Sequence, residues 1–225
     1  MYFGSSYLLI LVLFIVASFA SMGVRSTFNK FHKVRNMRGL TGAQAADLIL
    51  RNNGLYDVKI EKVSGYLTDH YDPRSKTVRL SEPVYDNPSI ASVSVACHEV
   101  GHALQHANGY APLSLRTAIL PAAQLGSQAL WPLFIAGMIF SMPQLINIGI
   151  LFFSFSVVFQ LLTLPVEFDA SSRAIKLMES YGILSTEENG DARRVLRAAA
   201  MTYVAAAAMA IGQLVRLLLL NRGRD

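Results

Sequence analysis

The sequence has little charge and almost no cysteine. Only 16% of its 225 residues are Asp, Glu, Lys or Arg, against about 25% in an ordinary soluble domain. Hydrophobic residues make up 52%, so the composition is unlike that of an intrinsically disordered protein. The single cysteine, Cys97, excludes an internal disulfide framework.

Charge is missing altogether from three long stretches. Residues 1–24, 117–166 and 198–215 contain no Asp, Glu, Lys or Arg, and uncharged apolar runs of about 18 or more residues are typical of transmembrane helices. The net charge of +5 does not indicate nucleic acid as a partner, because the basic residues flank these runs. We therefore expect an integral membrane protein whose partner is the lipid bilayer.

The first apolar run, residues 7–22, predicts an uncleaved N-terminal anchor. A cleavable signal peptide is the alternative, since residues 18–20 resemble a cleavage site, but a signal peptide carries positive charge before its apolar core. Here five basic residues follow the run, between Arg25 and Arg38, and none precedes it. The positive-inside rule then places the N-terminus outside and this flank in the cytoplasm.

The other apolar runs predict a multi-pass protein of the cell membrane. The 50 uncharged residues from 117 to 166 fit two spans, about 118–140 and 145–165, with a turn between them. The run at 198–220 is weaker because Arg216 interrupts it, so a fourth span and an interfacial helix both fit. The predicted organisation is an anchor at 1–24, a cytoplasmic segment at 25–116, a transmembrane hairpin at 117–166, a cytoplasmic helix at 167–197 and a C-terminal transmembrane or interfacial helix with its tail at 198–225.

The polar segment 25–116 shows local signals for helices and strands. Thr41 and Gln44 form a capping-box pattern, which predicts a helix to about Asn52. Alternating residues from 57 to 81 predict a small β-hairpin or meander, and the edge of its strand at 77–81 could bind an extended peptide. Asn87-Pro88 predicts the start of a further helix that runs to about Ala107.

That last helix contains the motif His98-Glu99-Val100-Gly101-His102. Histidines four residues apart on a helix lie on one face, where two imidazoles can bind one Zn²⁺. Glu99 is placed to act as a general base on a metal-bound water. The opposite face carries the apolar residues expected in the core: Ile90, Val93, Cys97, Val100 and Leu104.

A catalytic zinc ion needs a third protein ligand. His106 lies about 12 Å along the helix axis from His98, which is too far for both to bind one ion. His32 lies in the basic flank, where we expect it to be solvated, and His70 lies at the hairpin. Glu167, the first charge after the predicted hairpin, is the better candidate, although a carboxylate could also simply mark a membrane exit.

At this point the sequence resembles the YugP-like membrane zinc metallopeptidases, which are distantly similar to HtpX-type and CAAX-prenyl-type membrane proteases. The resemblance covers nearly the whole chain and rests on Leu67–Arg74 (LTDHYDPR), Lys76–Ser81 (KTVRLS), the stretch from His98 to Leu113, and Leu164–Ser171 (LPVEFDAS). Together with the apolar runs, it predicts a mainly α membrane protein with three to four transmembrane helices and a small α+β zincin-like metallopeptidase domain, with HExxH on its active-site helix.

The resemblance also implies the site residues. One Zn²⁺ per chain would be bound by His98, His102 and Glu167, with Glu99 as the base. In HtpX-type relatives an Asp four residues after the ligand Glu supports a zinc-bound His; here that position is Ser171, and Asp169 is the candidate replacement. Further candidates for supporting a ligand or stabilising the transition state are His70, His106, Arg173 and Tyr203.

The predicted activity is hydrolysis of peptide bonds in polypeptides, including membrane proteins, at the cytoplasmic membrane surface. An intramembrane protease is a second possibility, but no run of about 20 apolar residues can be drawn through His98. A non-catalytic zinc-binding membrane scaffold or chaperone-like factor is a third. A structural zinc site is usually closed by four ligands rich in Cys and has no use for Glu99 as a base.

Overall fold

A computed structural model of the chain describes residues 2–222, and the side chains of residues 7–221. The extreme ends of the predicted anchor and tail lie outside the described residues. The described chain is mainly helical with one small sheet, and its elements in order are α1 (Tyr2–His32), α2 (Gly42–Asn52), β1 (Lys59–Val63), β2 (His70–Asp72), β3 (Thr77–Ser81), α3 (Glu82–Tyr85), α4 (Ile90–Ala107), α5 (Ala111–Ile139), α6 (Pro143–Ser180) and α7 (Thr186–Arg222).

Within residues 2–222, four helices are long and apolar enough to cross a membrane, by length and composition: α1, α5, α6 and α7. The prediction of three to four apolar spans with a small sheet is therefore confirmed as far as helix length, helix composition and the presence of the sheet are concerned. Helix α5 ends at Ile139 and α6 begins at Pro143, so the turn lies inside the charge-free run, where the sequence predicts it.

The chain divides into two compact units. We call the first, made of Met1–Ala20, Ala111–Pro165 and Thr202–Asp225, the helical unit, and the second, made of Ser21–Tyr110 and Val166–Met201, the α/β unit. In the helical unit a buried cluster joins α5, α6 and α7; its members are Leu130, Phe134, Ile146, Ile150 and Leu217.

The core of the α/β unit surrounds α4. The apolar face predicted for this helix is buried: Ile90, Val93, Cys97, Val100 and Leu104 are between 0% and 7% exposed. They pack with buried residues of α1, α2, β3, α6 and α7. His98 and His102 therefore lie on the opposite face of α4.

The sheet has the strand order β1-β3-β2. Strands β2 and β3 form the predicted antiparallel hairpin, but β1 pairs with β3 in parallel, so the alternative of a meander is wrong. The expectation that the strand at 77–81 has a free edge is also wrong over most of its length, because β3 is the central strand: β1 pairs with residues 77–81 on one side and β2 with residues 77–79 on the other. Residues 77, 78, 80 and 81 of β3 are buried, as a central strand requires.

Capping residues explain where the helices of the α/β unit begin and end. The predicted capping box of α2 is present, with Thr41 and Gln44 each accepting a backbone hydrogen bond from the other. Helix α4 begins two residues later than predicted, because the hydroxyl of Ser89, and not Asn87, accepts from the backbone N–H of Ser92. It ends at Ala107, and Gly109 follows with a positive φ of 60°.

Helix α6 corrects the prediction around Glu167. No new helix begins there, because a single helix runs from Pro143 to Ser180 through the predicted membrane exit. The helix N-terminus that would favour a carboxylate at this point does not exist, so Glu167 needs a different explanation.

Candidate metal centre

Helix α4 presents His98 and His102 side by side. Their ring centroids are 4.8 Å apart and their planes lie at 84° to each other. The two side chains are only 13% and 12% exposed. The spacing of four residues on one helix therefore places both imidazoles in a common, largely buried space.

Helix α6 brings Glu167 to the same place from 69 residues further along the chain. Its Oε2 lies 3.2 Å from Nε2 of His98 and 3.6 Å from Nε2 of His102. The three ligating atoms lie within 4.8 Å of one another, and the Glu167 side chain is 4% exposed. Two nitrogens and one carboxylate oxygen thus converge on one point.

Close contact between the two helices makes this convergence possible. A Cβ at Gly101 would lie 2.7 Å from the carbonyl oxygen of Ala170 and 3.1 Å from its Cα. Gly101 directly precedes His102, and Ala170 lies three residues after Glu167, so this contact of glycine with alanine lets the two backbones approach next to the candidate ligands.

The donor set and its spacing fit zinc. Bonds of about 2.0–2.1 Å in a tetrahedral arrangement place two donor atoms about 3.3 Å apart, and the observed separations from Glu167 are 3.2 and 3.6 Å. Two His and one carboxylate are a known ligand set for catalytic zinc, in which the fourth position belongs to water or substrate.

The other ring nitrogen of each histidine has its own partner. Nδ1 of His98 lies 3.1 Å from the hydroxyl of Ser171, and Nδ1 of His102 lies 2.9 Å from Oε1 of Gln105. Metal-binding histidines almost always donate this second N–H to an acceptor, which fixes the tautomer and the ring orientation. Both Nε2 atoms are thereby directed at Glu167.

Gln105 is the residue that sequence reasoning missed. It is fully buried, and its amide donates to the carbonyl of Val166 at 2.7 Å and to Asp169 at 2.8 Å while its oxygen faces His102. Asp169 is thereby linked to His102 through Gln105, and its predicted role as the replacement for the Asp of HtpX-type relatives stays a prediction. The only sequence signal for Gln105 is its position three residues after His102 on the same helix.

The carboxylates of the site change the pKa values of neighbouring groups. Burial alone would lower the pKa of His102, but the hydrogen bond and charge of Glu167, together with the charge of Glu99, outweigh it and raise that pKa. Glu99 itself is 8% exposed. Burial raises the pKa of Asp69, and the charge of Glu99 raises it further, so Asp69 is a second carboxyl close to the candidate base.

The remaining predicted residues have other contacts. His106 lies 2.9 Å from the hydroxyl of Tyr71 and outside the convergent cluster, as the spacing along α4 predicts. Nδ1 of His70 lies 2.8 Å from the carbonyl of Thr68. Arg173 donates to Asp169 at 2.6 Å and lies over the ring of Tyr110.

Two further residues named in the sequence analysis, His32 and Tyr203, lie outside the convergent cluster. His32 is not solvated as predicted: it stacks on Phe28 and lies 3.1 Å from the amide nitrogen of Asn87. Tyr203 belongs to the helical unit, and its predicted role in transition-state stabilisation stays a prediction.

Comparison with known proteins shows the family. Residues 6–222 match the family described as "Putative neutral zinc metallopeptidase", and the chain belongs to that family. It is 48% identical over 223 residues to the "Putative membrane protease YugP" of Bacillus subtilis (strain 168), an alignment that covers 95% of this chain and 99% of the relative. No solved structure gives a significant match.

Proposed function

We propose that the protein is an integral-membrane zinc metalloendopeptidase that hydrolyses peptide bonds at the cytoplasmic membrane surface. The observation that carries the proposal is the convergence of Nε2 of His98, Nε2 of His102 and Oε2 of Glu167 within 4.8 Å. The family and the relative's name support a membrane zinc peptidase. The α/β unit would be its zincin-like domain, with one zinc ion per chain.

Each residue of the site has a proposed role. When bound, zinc supplies a polarised carbonyl and a water acidic enough to attack near neutral pH. Glu99, which is next to His98 and is not one of the convergent ligands, takes the proton from the attacking water and passes it to the leaving amine. Ser171 and Gln105 hold the two imidazoles so that their Nε2 atoms stay directed at the ion.

The proposed orientation follows from the charge pattern. Five basic residues between Arg25 and Arg38 flank the first apolar run, so that flank, and with it the α/β unit, lies in the cytoplasm and the N-terminus lies outside. Substrates are polypeptides that reach this surface, including segments of membrane proteins.

Zinc content and peptidase activity test the proposal together. We expect one equivalent of zinc in the detergent-purified protein, a large loss in Glu167→Ala, and full retention in Glu99→Gln with at least a hundredfold loss of peptide cleavage. Glu179→Ala, an exposed carboxylate at the end of α6, is the matched control and should keep both zinc and activity. Zinc retained in Glu167→Ala would remove Glu167 from the ligand set, whereas bound zinc without any cleavage would favour the scaffold alternative.

A further inference from the structure

A groove of about 460 Å³ lies in the α/β unit between α6 and α7, and Ser171, which contacts His98, is one of its lining residues. Its walls come from α6 and α7, and most of the exposed lining is apolar. Phe168 and Ile175 contribute from α6, and Leu196 contributes from α7. We call this cavity the α6–α7 groove.

Three cations surround the α6–α7 groove: Lys176, Arg193 and Arg197. No carboxylate lines it, and within the described part of the chain none of the three cations forms an ion pair or a side-chain hydrogen bond. The neighbouring Arg194 behaves differently, since it does not line the groove and pairs with Asp191 at 3.0 Å. The groove thus combines unpaired positive charge with an apolar floor.

We propose that the α6–α7 groove binds one anionic phospholipid. The phosphate lies among the three cations, and an acyl chain lies along Phe168, Ile175 and Leu196. Basic pockets beside transmembrane helices on the cytoplasmic side recognise anionic headgroups in this way. A volume of about 460 Å³ is within the range of about 300–1,000 Å³ that is usual for ligand sites.

The position of the groove along its helices favours a lipid. Arg197 directly precedes the charge-free run 198–215, and Arg193 lies one turn, or about 6 Å, before it. Phe168 follows Pro165, the last residue of the second predicted span of the hairpin, by three residues. The Phe168 end of the α6 wall and the Arg197 end of the α7 wall therefore adjoin apolar runs, where the headgroup layer is expected.

Other occupants fit the groove less well. Both walls are α-helices whose backbone groups are bonded internally, so there is no strand edge along which an extended peptide could add. Free phosphate would be attracted by the cations but would leave the apolar floor uncovered. An amphiphile with one anionic end satisfies both parts of the groove.

Lipid titration followed by native mass spectrometry tests the proposal. The probes are phosphatidylglycerol and phosphatidylcholine with the same acyl chains, added to the delipidated full-length protein in detergent. We expect one tightly bound phosphatidylglycerol in the wild type and a loss of affinity of about tenfold or more in Arg193→Gln/Arg197→Gln. The control Arg194→Gln/Lys62→Gln removes the same charge from two exposed ion pairs outside the groove and should bind like the wild type.

A second variant covers the case in which the double variant fails to fold. Ser172→Trp adds bulk at an exposed residue of the lining without changing charge, and it should weaken phosphatidylglycerol binding to a similar extent. Equal binding of the two lipids, an equal loss in the control variant, full binding in a folded Ser172→Trp, or displacement of the lipid by the same concentration of inorganic phosphate would each overturn the proposal.

Discussion

At the scale of single residues, the candidate site depends on the Nδ1 atoms of its two histidines as much as on the Nε2 atoms. Ser171 holds His98 and Gln105 holds His102, at 3.1 and 2.9 Å. Removing such partners typically lowers metal affinity by about 10–100-fold. The two partners differ in burial, and so the consequences of losing them should differ.

Ser171→Ala should weaken zinc binding by about tenfold and leave folding nearly unchanged, because the residue is only half-buried and loses one hydrogen bond. Zinc affinity is measured by competition with a chromogenic chelator. The control is Ser172→Ala, the next residue on α6, which is exposed and should bind zinc like the wild type. Equal zinc affinity of the two variants would show that Ser171 does not support His98.

Gln105→Leu should lower both zinc affinity and stability. It removes the acceptor for His102 and the donor to the Val166 carbonyl and to Asp169, and each lost hydrogen bond costs about 0.5–1.5 kcal/mol. Chemical denaturation of the metal-free protein and chelator competition measure the two effects separately. Asp169→Asn keeps an acceptor for the Gln105 amide and should retain most of the zinc affinity. A Gln105→Leu protein with wild-type zinc affinity would contradict a role in orienting His102.

At the scale of elements, the decisive feature is the contact of α4 with α6. Gly101 allows the backbones to approach, because any larger residue would meet the carbonyl of Ala170 at 2.7 Å. The candidate site is therefore built by the packing of two helices, each of which carries only part of the candidate ligand set.

Gly101→Ala should separate the two helices and with them the two halves of the ligand set. We expect a destabilisation of about 1–3 kcal/mol from overpacking and a loss of bound zinc, measured by thermal unfolding and metal analysis. Gly190→Ala is the matched control: a Cβ there has nothing within 4 Å, so the higher helix propensity of alanine should stabilise α7 by up to about 1 kcal/mol. Zinc retained in a stable Gly101→Ala protein would argue against this close contact.

Local sequence signals are sufficient to predict some helix ends but not the packing of distant segments. The capping box of α2 and the end of α4 near Gly109 follow from side chains within a few residues of each helix end. The continuous helix through Glu167 and the parallel pairing of β1 with β3 do not. Both depend on packing against segments that are distant in the sequence, which local patterns do not report.

At the scale of the whole molecule, the open question with the clearest test is which side of the membrane each segment faces. The chain is convenient for cysteine labelling because its only cysteine, Cys97, is fully buried. Burial also raises the pKa of the Cys97 thiol, so the group stays protonated and reacts slowly with maleimides.

Single introduced cysteines should therefore report the orientation. In intact cells a membrane-impermeant maleimide should label Met142→Cys, in the turn between α5 and α6, and should not label Ser64→Cys in the exposed part of the α/β unit. Permeabilisation should make Ser64→Cys reactive, and the wild type should stay unlabelled in intact and permeabilised cells. The reverse pattern would place the candidate site outside the cytoplasm and overturn the proposed orientation.

The apolar runs, the helix that carries HExxH and its buried face could all be predicted from the sequence, because each of these features depends on residues that are neighbours on one helix. The sequence also indicated Glu167, through the need for a third ligand and through the family resemblance. Three features became visible only in the folded chain: Glu167 lies within 3.6 Å of both histidines, Gln105 and Ser171 contact their Nδ1 atoms, and β3 is the central strand. These features arise where separate segments pack together, and no local periodicity encodes that contact.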